Sequence, residues 1–377
     1  MNQKLRSLDI LKGIAVIMII IVHNRHFIMQ DLSGLRQLIN FGQMGCQLFF
    51  FTSGYSLCYS WEHMPPSKNR FFCFILRRYL RLAPGFLIFM VFNLILNILL
   101  IDVLNLSPGF VMNRDPRAIL ANILFLHGLY PDAINSVFPG GWYIGTAFLL
   151  YVTFPVLYTV FQKLGRIHPA CMAGIPALLL LLNVPLVRWI ASASGGELFI
   201  GNNTFLYYLF TNQLPCFSLG LLLYFQNATR RVRLPAAAHA TLFAVFAASC
   251  IALYLDEPAP IVYTVLPSLA GLAVYSLAAV MIRIETDGSK SARVRTSPVS
   301  RFLADCGRNS YGMYLVHSLV SWYGMKALTA LLTQHGRTYN DLLLYGLVLV
   351  PSVLIIYALG RRVEKALTRI DHRLRRD

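Results

Sequence analysis

Long apolar stretches separated by short polar segments dominate the pattern along this 377-residue chain. Ten of them are long enough to cross a bilayer whose hydrocarbon core is about 30 Å thick. They cover residues 8–29, 42–60, 80–101, 142–162, 169–187, 205–226, 236–255, 261–282, 309–333 and 341–360. Backbone polar groups cannot stay unpaired in lipid, so these stretches are expected to be helices rather than open strands. The predicted fold class is all-α, a polytopic integral membrane protein with about ten transmembrane helices.

The first apolar stretch begins a few residues after Met1, as a signal peptide would. It has no small-residue cleavage site and is longer than a signal peptide, so we expect it to be retained as a span. The predicted organisation is a single transmembrane domain over residues 1–360, followed by a basic cytoplasmic tail over residues 361–377. In the loop at 102–141, the apolar piece at 118–126 is too short to span and predicts a re-entrant or interfacial segment.

Composition agrees with lipid as the solvent, because 56% of the residues are hydrophobic and only 13% are charged. Soluble domains carry about 25% charged residues. The net charge of +17 is unevenly distributed. With an even number of spans, 26 of the 33 Lys and Arg residues fall on the side of both termini. This positive-inside pattern places the termini in the cytoplasm and explains the charge without a nucleic-acid partner.

The seven cysteines are scattered and form no CxxC pair. We therefore expect neither a disulfide framework nor a metal site, and no metal cofactor. Glycine-rich phosphate loops and the HExxH and GxSxG motifs are also absent from the sequence.

Polar residues inside membrane spans are costly and are candidates for function. His23 lies 14 residues after Asp9 on the first predicted helix, which corresponds to about 21 Å at the rise of an α-helix. An imidazole transfers protons near neutral pH, so His23 is a candidate general base. The alternative is a structural histidine that hydrogen-bonds a neighbouring helix or lies at the interface.

Basic residues form two further candidates. Arg77, Arg78 and Arg81 enter the third predicted span, and Arg78 and Arg81 share one helix face. Guanidinium groups placed this way can bind phosphates, although such clusters also act as positive-inside signals. Arg6 and Lys12 flank Asp9 in sequence, so its carboxylate is expected to be ionised and paired, either as an anchor or to orient an arginine.

Three residues complete the set of unusual positions. His127 and Trp142 flank the end of the 102–141 loop, and His317 lies inside the ninth predicted span. Tryptophan is also common at membrane interfaces for structural reasons. His317 taken alone is typical of a hydrogen-bonding residue rather than a catalyst.

Four segments together resemble the membrane-bound acyltransferase family 3. R-x-x-L-D-x-L-(R/K)-G-I-A followed by histidine resembles residues 6–15 and His23. G-x-x-L-F-F-x-x-S-G-(F/Y) resembles residues 45–55, which include Ser53. F-x-x-R-R-x-x-R-(I/L)-x-P resembles residues 74–84, and S-Y-x-x-Y-L-x-H resembles residues 310–317.

The resemblance implies transfer of an acetyl group from cytosolic acetyl-CoA to a hydroxyl of an extracytoplasmic polysaccharide or glycolipid. It implies a multi-pass protein of the bacterial inner membrane whose partners are the lipid bilayer, the acyl-CoA and a glycan acceptor. The residues it points to are listed by role: His23 and Asp9 as catalytic; Arg78, Arg81, Arg77, Arg6 and Lys12 as donor-binding; His127, Trp142, Tyr143, Ser53 and His317 as acceptor-side candidates. An acyl-histidine relay remains an alternative to general-base catalysis.

The sequence departs from the family at one position. Many members carry W-S-x-x-x-E at the start of the fourth predicted span, where this chain has Trp142 and, in place of the glutamate, Ala147. The acceptor site is therefore expected to differ. Alternatives that stay open are succinyl rather than acetyl transfer, a glycan or lipid transporter, and a glycosyltransferase that uses acidic residues of the 102–141 loop.

Overall fold

The computed structural model describes residues 5–24, 38–105, 110–194, 205–229, 234–255, 260–286, 297–324, 328, 331 and 341–374. Within these residues every regular element is helical and no strand occurs. The helices are α1 Arg6–His23, α2 Gly45–Glu62, α3 Arg70–Asn97, α4 Pro116–Ile123, α5 Trp142–Ile167, α6 Gly174–Ala193, α7 Phe205–Tyr208, α8 Phe210–Thr229, α9 Ala236–Leu255, α10 Pro260–Thr286, α11 Pro298–Arg308, α12 Ser310–Leu319 and α13 Asp341–Leu374. Short 3-10 or π turns join or extend several of them, including Phe41–Met44, Ile98–Val103, His127–Leu129, Pro169–Ala173 and Val320–Gly324. The predicted all-helical membrane class is confirmed.

Seven helical segments of the described chain are long and apolar enough to cross a membrane: Arg70–Val103, Trp142–Ile167, Pro169–Ala193, Phe205–Ala228, Ala236–Leu253, Tyr263–Thr286 and Leu343–Arg373. They coincide with seven of the ten predicted spans. The predicted spans at 8–29, 42–60 and 309–333 fall on α1, α2 and α12, which lie outside this set. The count of ten and the side of the termini stay predictions.

α1 and α2 are largely buried inside the bundle. α1 packs along α11 and α2, and α2 packs along α8. In contrast, α3, α6 and α9 leave most of their apolar surface exposed, as helices that face lipid do. Because α1 and α2 are surrounded by protein, they can carry polar side chains.

The contact between α1 and α11 depends on two glycines. A Cβ atom at Gly13 would lie 1.9 Å from the backbone oxygen of Leu303, and one at Gly307 would lie 1.7 Å from the backbone oxygen of Asp9. Small residues let two helix backbones approach this closely. The glycine that follows Lys12 in the family-like segment is therefore required for packing.

A carboxylate from α10 caps the start of α1. The Glu285 side chain accepts hydrogen bonds from the backbone N–H groups of Arg6 and Ser7, at 2.9 and 2.8 Å, and from the Ser7 hydroxyl at 2.5 Å. First-turn N–H groups have no partner within their own helix and carry partial positive charge. This capping fixes the end of α1 that carries Asp9 and Lys12.

The loop before α5 folds back onto the bundle. Its apolar piece is the two-turn helix α4, which begins where the Asp115 side chain accepts a hydrogen bond from the Arg117 N–H at 3.0 Å. Phe125 and Phe138 from this loop are buried and each packs edge-on against Phe86 of α3. The segment predicted to be re-entrant is thus a packed cover over α3 and α5.

α13 is one continuous helix of 34 residues, about 51 Å long. This exceeds the roughly 30 Å of a hydrocarbon core, so its basic C-terminal part extends beyond the apolar layer. The helix runs without a break through the predicted boundary between domain and tail at residues 360 and 361.

Candidate active site

Helices α1, α2, α3, α5, α11, α12 and α13 meet around a cavity of about 270 Å³, which we call the central cavity. Its charged lining residues are Asp9, Lys12, Arg81, Arg308 and Glu364. Its aromatic lining residues are Phe49, Tyr143, Tyr151, Tyr311 and Tyr314. The charged residues lie at the end of the bundle where α1 and α12 begin, called the basic end below.

The predicted donor-binding residues take different positions around this cavity. Lys12 and Arg81 line it, as does the predicted catalytic residue Asp9. The Lys12 ammonium lies 3.5 Å from the Ser56 hydroxyl. Arg6 contacts Glu285 through its backbone, and Arg77 is exposed to the outside of α3.

Arg78 and Arg81 contact different side chains among the described residues. The Arg78 guanidinium donates to the Ser60 hydroxyl at 2.5 Å and lies 5.3 Å from the centre of the Phe74 ring. The Arg81 guanidinium turns to the cavity and forms an ion pair with Glu364 of α13. Of the two arginines, Arg81 is therefore the one placed to contact a ligand in the cavity.

Glu364 holds Arg81 in place through a second contact. The other oxygen of its carboxylate accepts a hydrogen bond from the Gly312 N–H of α12 at 2.9 Å. Glu364 itself is buried, with 7% of its surface exposed. Because both oxygens of the buried Glu364 carboxylate are hydrogen-bonded, its position is fixed. Arg81 therefore has a defined position at the edge of the cavity.

A row of rings leads from the cavity to two histidines. The Tyr143 ring lies 5.4 Å from the Tyr314 ring, and Tyr314 lies 5.3 Å from His317. His317 meets His23 edge to face, with ring centroids 4.8 Å apart. Neither His23 nor His317 is among the described residues that line the central cavity. The Tyr314 ring thus lies between the cavity and the histidine pair.

Each histidine is oriented by a carbonyl on its own helix. Nδ1 of His23 lies 2.8 Å from the Ile19 oxygen, and Nδ1 of His317 contacts the Tyr314 oxygen. A carbonyl oxygen can only accept, so in both rings the proton of the neutral imidazole is on Nδ1. Nε2 then carries the lone pair. In His317 this atom is buried and has no hydrogen-bond partner among the described residues.

A glycine turn before α5 closes over His317. The Tyr314 hydroxyl donates to the Gly140 oxygen, and a Cβ at Gly140 would lie 3.8 Å from both Cε1 and Nε2 of His317. Gly140 has φ +81°, a conformation that residues with a Cβ rarely adopt. This turn therefore brings bare backbone next to the histidine pair.

The other acceptor-side candidates are divided between two environments. Ser53 and Tyr143 line the central cavity. Trp142 is buried and stacks on Tyr208 with ring centroids 4.2 Å apart. His127 is fully buried, stacks parallel to Phe86, and its Nε2 lies 3.0 Å from the Gly141 oxygen. Burial lowers the pKa of His127 to about 4, so this side chain is neutral at pH 7.

Ala147, which stands where many family members carry glutamate, faces the central cavity beside Tyr143 and Tyr151. The carboxylates that line the cavity come instead from Asp9 and Glu364. Within the described residues, no cluster of three or more His, Cys, Asp or Glu side chains could hold a metal ion.

Sequence reasoning overlooked Tyr314, Arg308 and Glu364. Tyr314 belongs to a family-like segment, but its spacing from His317 alone does not reveal that it separates that histidine from a cavity. Glu364 is an isolated carboxylate in a strongly basic segment, which is a usable signal. Its partner Arg81 is 283 positions away in the chain, so no local pattern links them.

Comparison with known protein families gives a match over residues 5–361 to the family described as an acyltransferase domain. The matched range contains both histidines and every residue that lines the central cavity except Glu364. No curated protein and no solved structure matches the chain.

Proposed function

Since the chain belongs to acyltransferase family 3 and is an acyltransferase, we propose that it transfers an acetyl group from acetyl-CoA to a sugar hydroxyl. The acceptor is an extracytoplasmic polysaccharide or glycolipid, and the protein lies in the bacterial inner membrane. The observation that carries this proposal is the route from the basic end of the central cavity, past Tyr143 and Tyr314, to the paired rings of His23 and His317.

The donor enters from the basic end in this proposal. The positive-inside distribution of Lys and Arg supports a cytoplasmic position for that end, where acetyl-CoA is found. Arg81 and Lys12 attract the polyanionic donor. From Asp9 to His23 the rise of α1 is about 21 Å, so the thin pantetheine arm has to bridge that distance and pass the Tyr314 ring.

His23 acts as the general base. Its Nε2 removes the proton of the sugar hydroxyl while the oxygen attacks the thioester carbonyl carbon. The tetrahedral intermediate collapses, the carbon–sulfur bond breaks, and the departing thiolate takes the proton back from the imidazolium. The products are the acetyl ester and free CoA. Nε2 of His317, next to His23 and unsatisfied among the described residues, accepts a hydrogen bond from a neighbouring hydroxyl of the acceptor sugar and so orients the acceptor.

The test is acetyl transfer by purified protein with labelled acetyl-CoA, followed as release of the CoA thiol. His23→Gln is expected to lower kcat by 10²–10⁴-fold, the contribution usual for a general base. His63→Gln is the matched control, because His63 makes the same contact to the carbonyl four residues earlier, at 2.8 Å, but is exposed at the end of α2. Transfer by His23→Gln at the rate of the wild type would remove His23 from the mechanism.

The acyl group and the acceptor are identified in cells. The NMR spectrum of the surface glycan is compared between hosts with and without the gene, and loss of an O-acetyl signal is expected. Loss of a succinyl signal would replace acetyl by succinyl. If the gene changes no acyl signal and the pure protein releases no CoA from acetyl-CoA or succinyl-CoA, the proposed donor class is wrong.

A further inference from the structure

A second, larger cleft lies outside the central cavity at the basic end. It has a volume of about 920 Å³ and lies between α11, Arg81 of α3 and the C-terminal part of α13. We call it the basic cleft; it is lined by Arg81, Asp305, Arg308, Asn309, Tyr357, Ala358, Arg361, Arg362, Glu364, Lys365, Thr368 and Arg369. Arg81, Arg308 and Glu364 also line the central cavity, so the two spaces share a wall.

The cleft has a large excess of positive charge. Six of its lining residues are Lys or Arg, and two are acidic. Arg362, Lys365 and Arg369 are exposed and lie three or four residues apart, on one face of α13, and the adjacent Arg361 is also exposed. Of these, Arg362, Lys365 and Arg369 form no ion pair among the described residues. The cleft therefore has cations available for an anionic ligand.

Both acidic residues of the cleft are engaged in holding cations. Asp305 of α11 accepts hydrogen bonds from the Tyr357 hydroxyl at 2.7 Å and from Arg308 at 2.9 Å, and it lies 3.4 Å from Nε of Arg361. Burial raises the pKa of the Asp305 carboxyl, but these hydrogen bonds and the neighbouring arginine charges outweigh that effect and hold it below its ordinary value. Asp305 thus stays ionised and brings together arginines of two helices, while Glu364 does the same for Arg81.

The volumes of the central cavity and the basic cleft indicate which part of the donor each of them can hold. Pockets that enclose a drug-sized ligand usually measure about 300–1,000 Å³. The central cavity of about 270 Å³ is at the lower limit and cannot enclose a whole acyl-CoA. Its nucleotide, with a diphosphate and a further phosphate, needs a wider and cationic space adjoining the narrow one.

We propose that the basic cleft binds the phosphorylated nucleotide of the acyl-CoA donor, with Arg308, Arg362, Lys365 and Arg369 as its phosphate-binding residues. This assignment rests on the proposed function. Arginine binds phosphate oxygens through two N–H groups at once, and lysine binds as a point charge. Asp305 and Glu364 are positioning residues that hold the arginines without contacting the donor. The pantetheine arm passes Arg81, the shared wall, and enters the central cavity.

The test uses a pair of double variants matched in spacing and exposure. Arg362→Gln/Lys365→Gln removes two exposed charges three residues apart in the cleft, and Lys163→Gln/Arg166→Gln removes two with the same spacing at the end of α5. Binding of unacylated CoA to the detergent-purified protein is measured first. We expect the cleft variant to bind CoA about tenfold more weakly, the scale of two lost charge-assisted contacts, and the α5 variant to bind like the wild type.

A second readout compares two donors, acetyl-CoA and acetyl-pantetheine, which has no nucleotide. The cleft variant is expected to raise KM for acetyl-CoA about tenfold with little change in kcat, and to leave KM for acetyl-pantetheine unchanged. Equal effects of the variant on both donors, or none on either, would overturn the assignment. If wild-type protein binds CoA through the cleft but transfers no acetyl group, the cleft stands and the proposed function fails.

Phosphate groups of lipids are the other source of the same ligand chemistry at a membrane surface. The measurements are therefore repeated in bilayers of zwitterionic lipid and in bilayers with added anionic phospholipid. The assignment to the donor predicts the weaker CoA binding in both bilayers. An effect confined to the anionic bilayer would make the cleft a lipid-headgroup site and overturn the proposal.

Discussion

At the scale of single residues, hydrogen bonds to the backbone decide which atoms of the site can react. His23 and His317 both place Nδ1 against a carbonyl of the preceding helical turn, so in each neutral ring Nε2 is the nitrogen that carries the lone pair. The two rings meet edge to face at 4.8 Å. In the described residues a backbone carbonyl thus orients each ring.

His127 gives a prediction about pH. Its pKa in the folded protein is about 4, below the value of about 6.5 for a free histidine. Between these values the unfolded chain binds more protons than the folded one, so stability falls as pH is lowered through that range. The contribution of this group is at most about 3 kcal/mol. We expect His127→Gln to flatten the decrease of the thermal midpoint between pH 7 and pH 4.5.

The comparison for His127 is His63→Gln, because His63 is exposed on the end of α2 and should leave the pH dependence intact. Thermal unfolding in detergent at a series of pH values provides the measurement. An identical slope in wild type and His127→Gln would show that this histidine is not the group that limits acid stability.

At the scale of elements, α1 positions one end of the site relative to the other. Asp9 and Lys12 line the central cavity and His23 meets His317 about 21 Å along the same helix. The helix is held by the Glu285 cap and by close packing on α11, which also carries Arg308. A change in the α1–α11 contact therefore moves Asp9 and Lys12 relative to Arg308.

Gly13→Ala tests this contact. The new Cβ would lie 1.9 Å from the backbone oxygen of Leu303, and a backbone atom cannot move aside as a flexible side chain can. We expect α1 and α11 to separate, with a loss of stability of about 2 kcal/mol or more and a loss of acetyl transfer. Scanning fluorimetry of the purified protein measures the first effect.

Gly346→Ala in α13 is the control for this substitution. Among the described residues, no atom outside the adjoining turns of its own helix lies within 4 Å of a Cβ at that position, and alanine favours a helix over glycine by about 1 kcal/mol. The thermal unfolding midpoint of Gly346→Ala should therefore equal or exceed that of the wild type. Equal midpoints for the two variants would mean that the α1–α11 contact tolerates a wider spacing.

At the scale of the whole molecule, orientation in the membrane decides which substrate meets which end. The positive-inside pattern predicts that the turn Pro169–Ala173 faces the cytoplasm together with the basic end. Cys171 in that turn is exposed, Cys73 is half-buried, and the other five cysteines, Cys46, Cys58, Cys216, Cys250 and Cys306, are buried. The chain thus carries its own probe of topology.

A membrane-impermeant maleimide should leave Cys171 unlabelled in intact spheroplasts and label it in inside-out vesicles. Asp132→Cys provides the opposite control, because Asp132 is exposed in the loop between α4 and α5 and is expected on the outside. Labelling of Cys171 from outside would reverse the orientation and place the basic end away from the cytosol.

Much of this architecture follows from local sequence properties, and the remainder depends on distant contacts. Seven of the predicted apolar stretches are long helices in the structure. They could be predicted because hydropathy depends only on the residues within each stretch. α1 lies outside this set because its 18 residues carry three charges, Arg6, Asp9 and Lys12, of which the last two line the central cavity. The sequence also predicted Lys12, Arg81 and Tyr143 as site residues, and all three line the central cavity.

The contacts that organise these residues could not be predicted from the sequence alone. The ion pair between Arg81 and Glu364 and the meeting of His23 with His317 join parts of the chain nearly 300 positions apart. The different partners of Arg78 and Arg81 depend on Ser60 and Glu364, which lie on other helices. A shared helix face limits where two side chains point but does not give them the same partner.

The single tyrosine between the cavity and the histidines has a consequence for the energy supply of the cell. Two imidazoles in a row inside a membrane would conduct protons if water reached them from both sides, and the ion gradient across the bilayer would be lost. The Tyr314 ring, hydrogen-bonded to the Gly140 carbonyl, lies between the central cavity and that pair. In the proposed reaction this ring would let an acyl group reach the histidines while the membrane stays electrically tight.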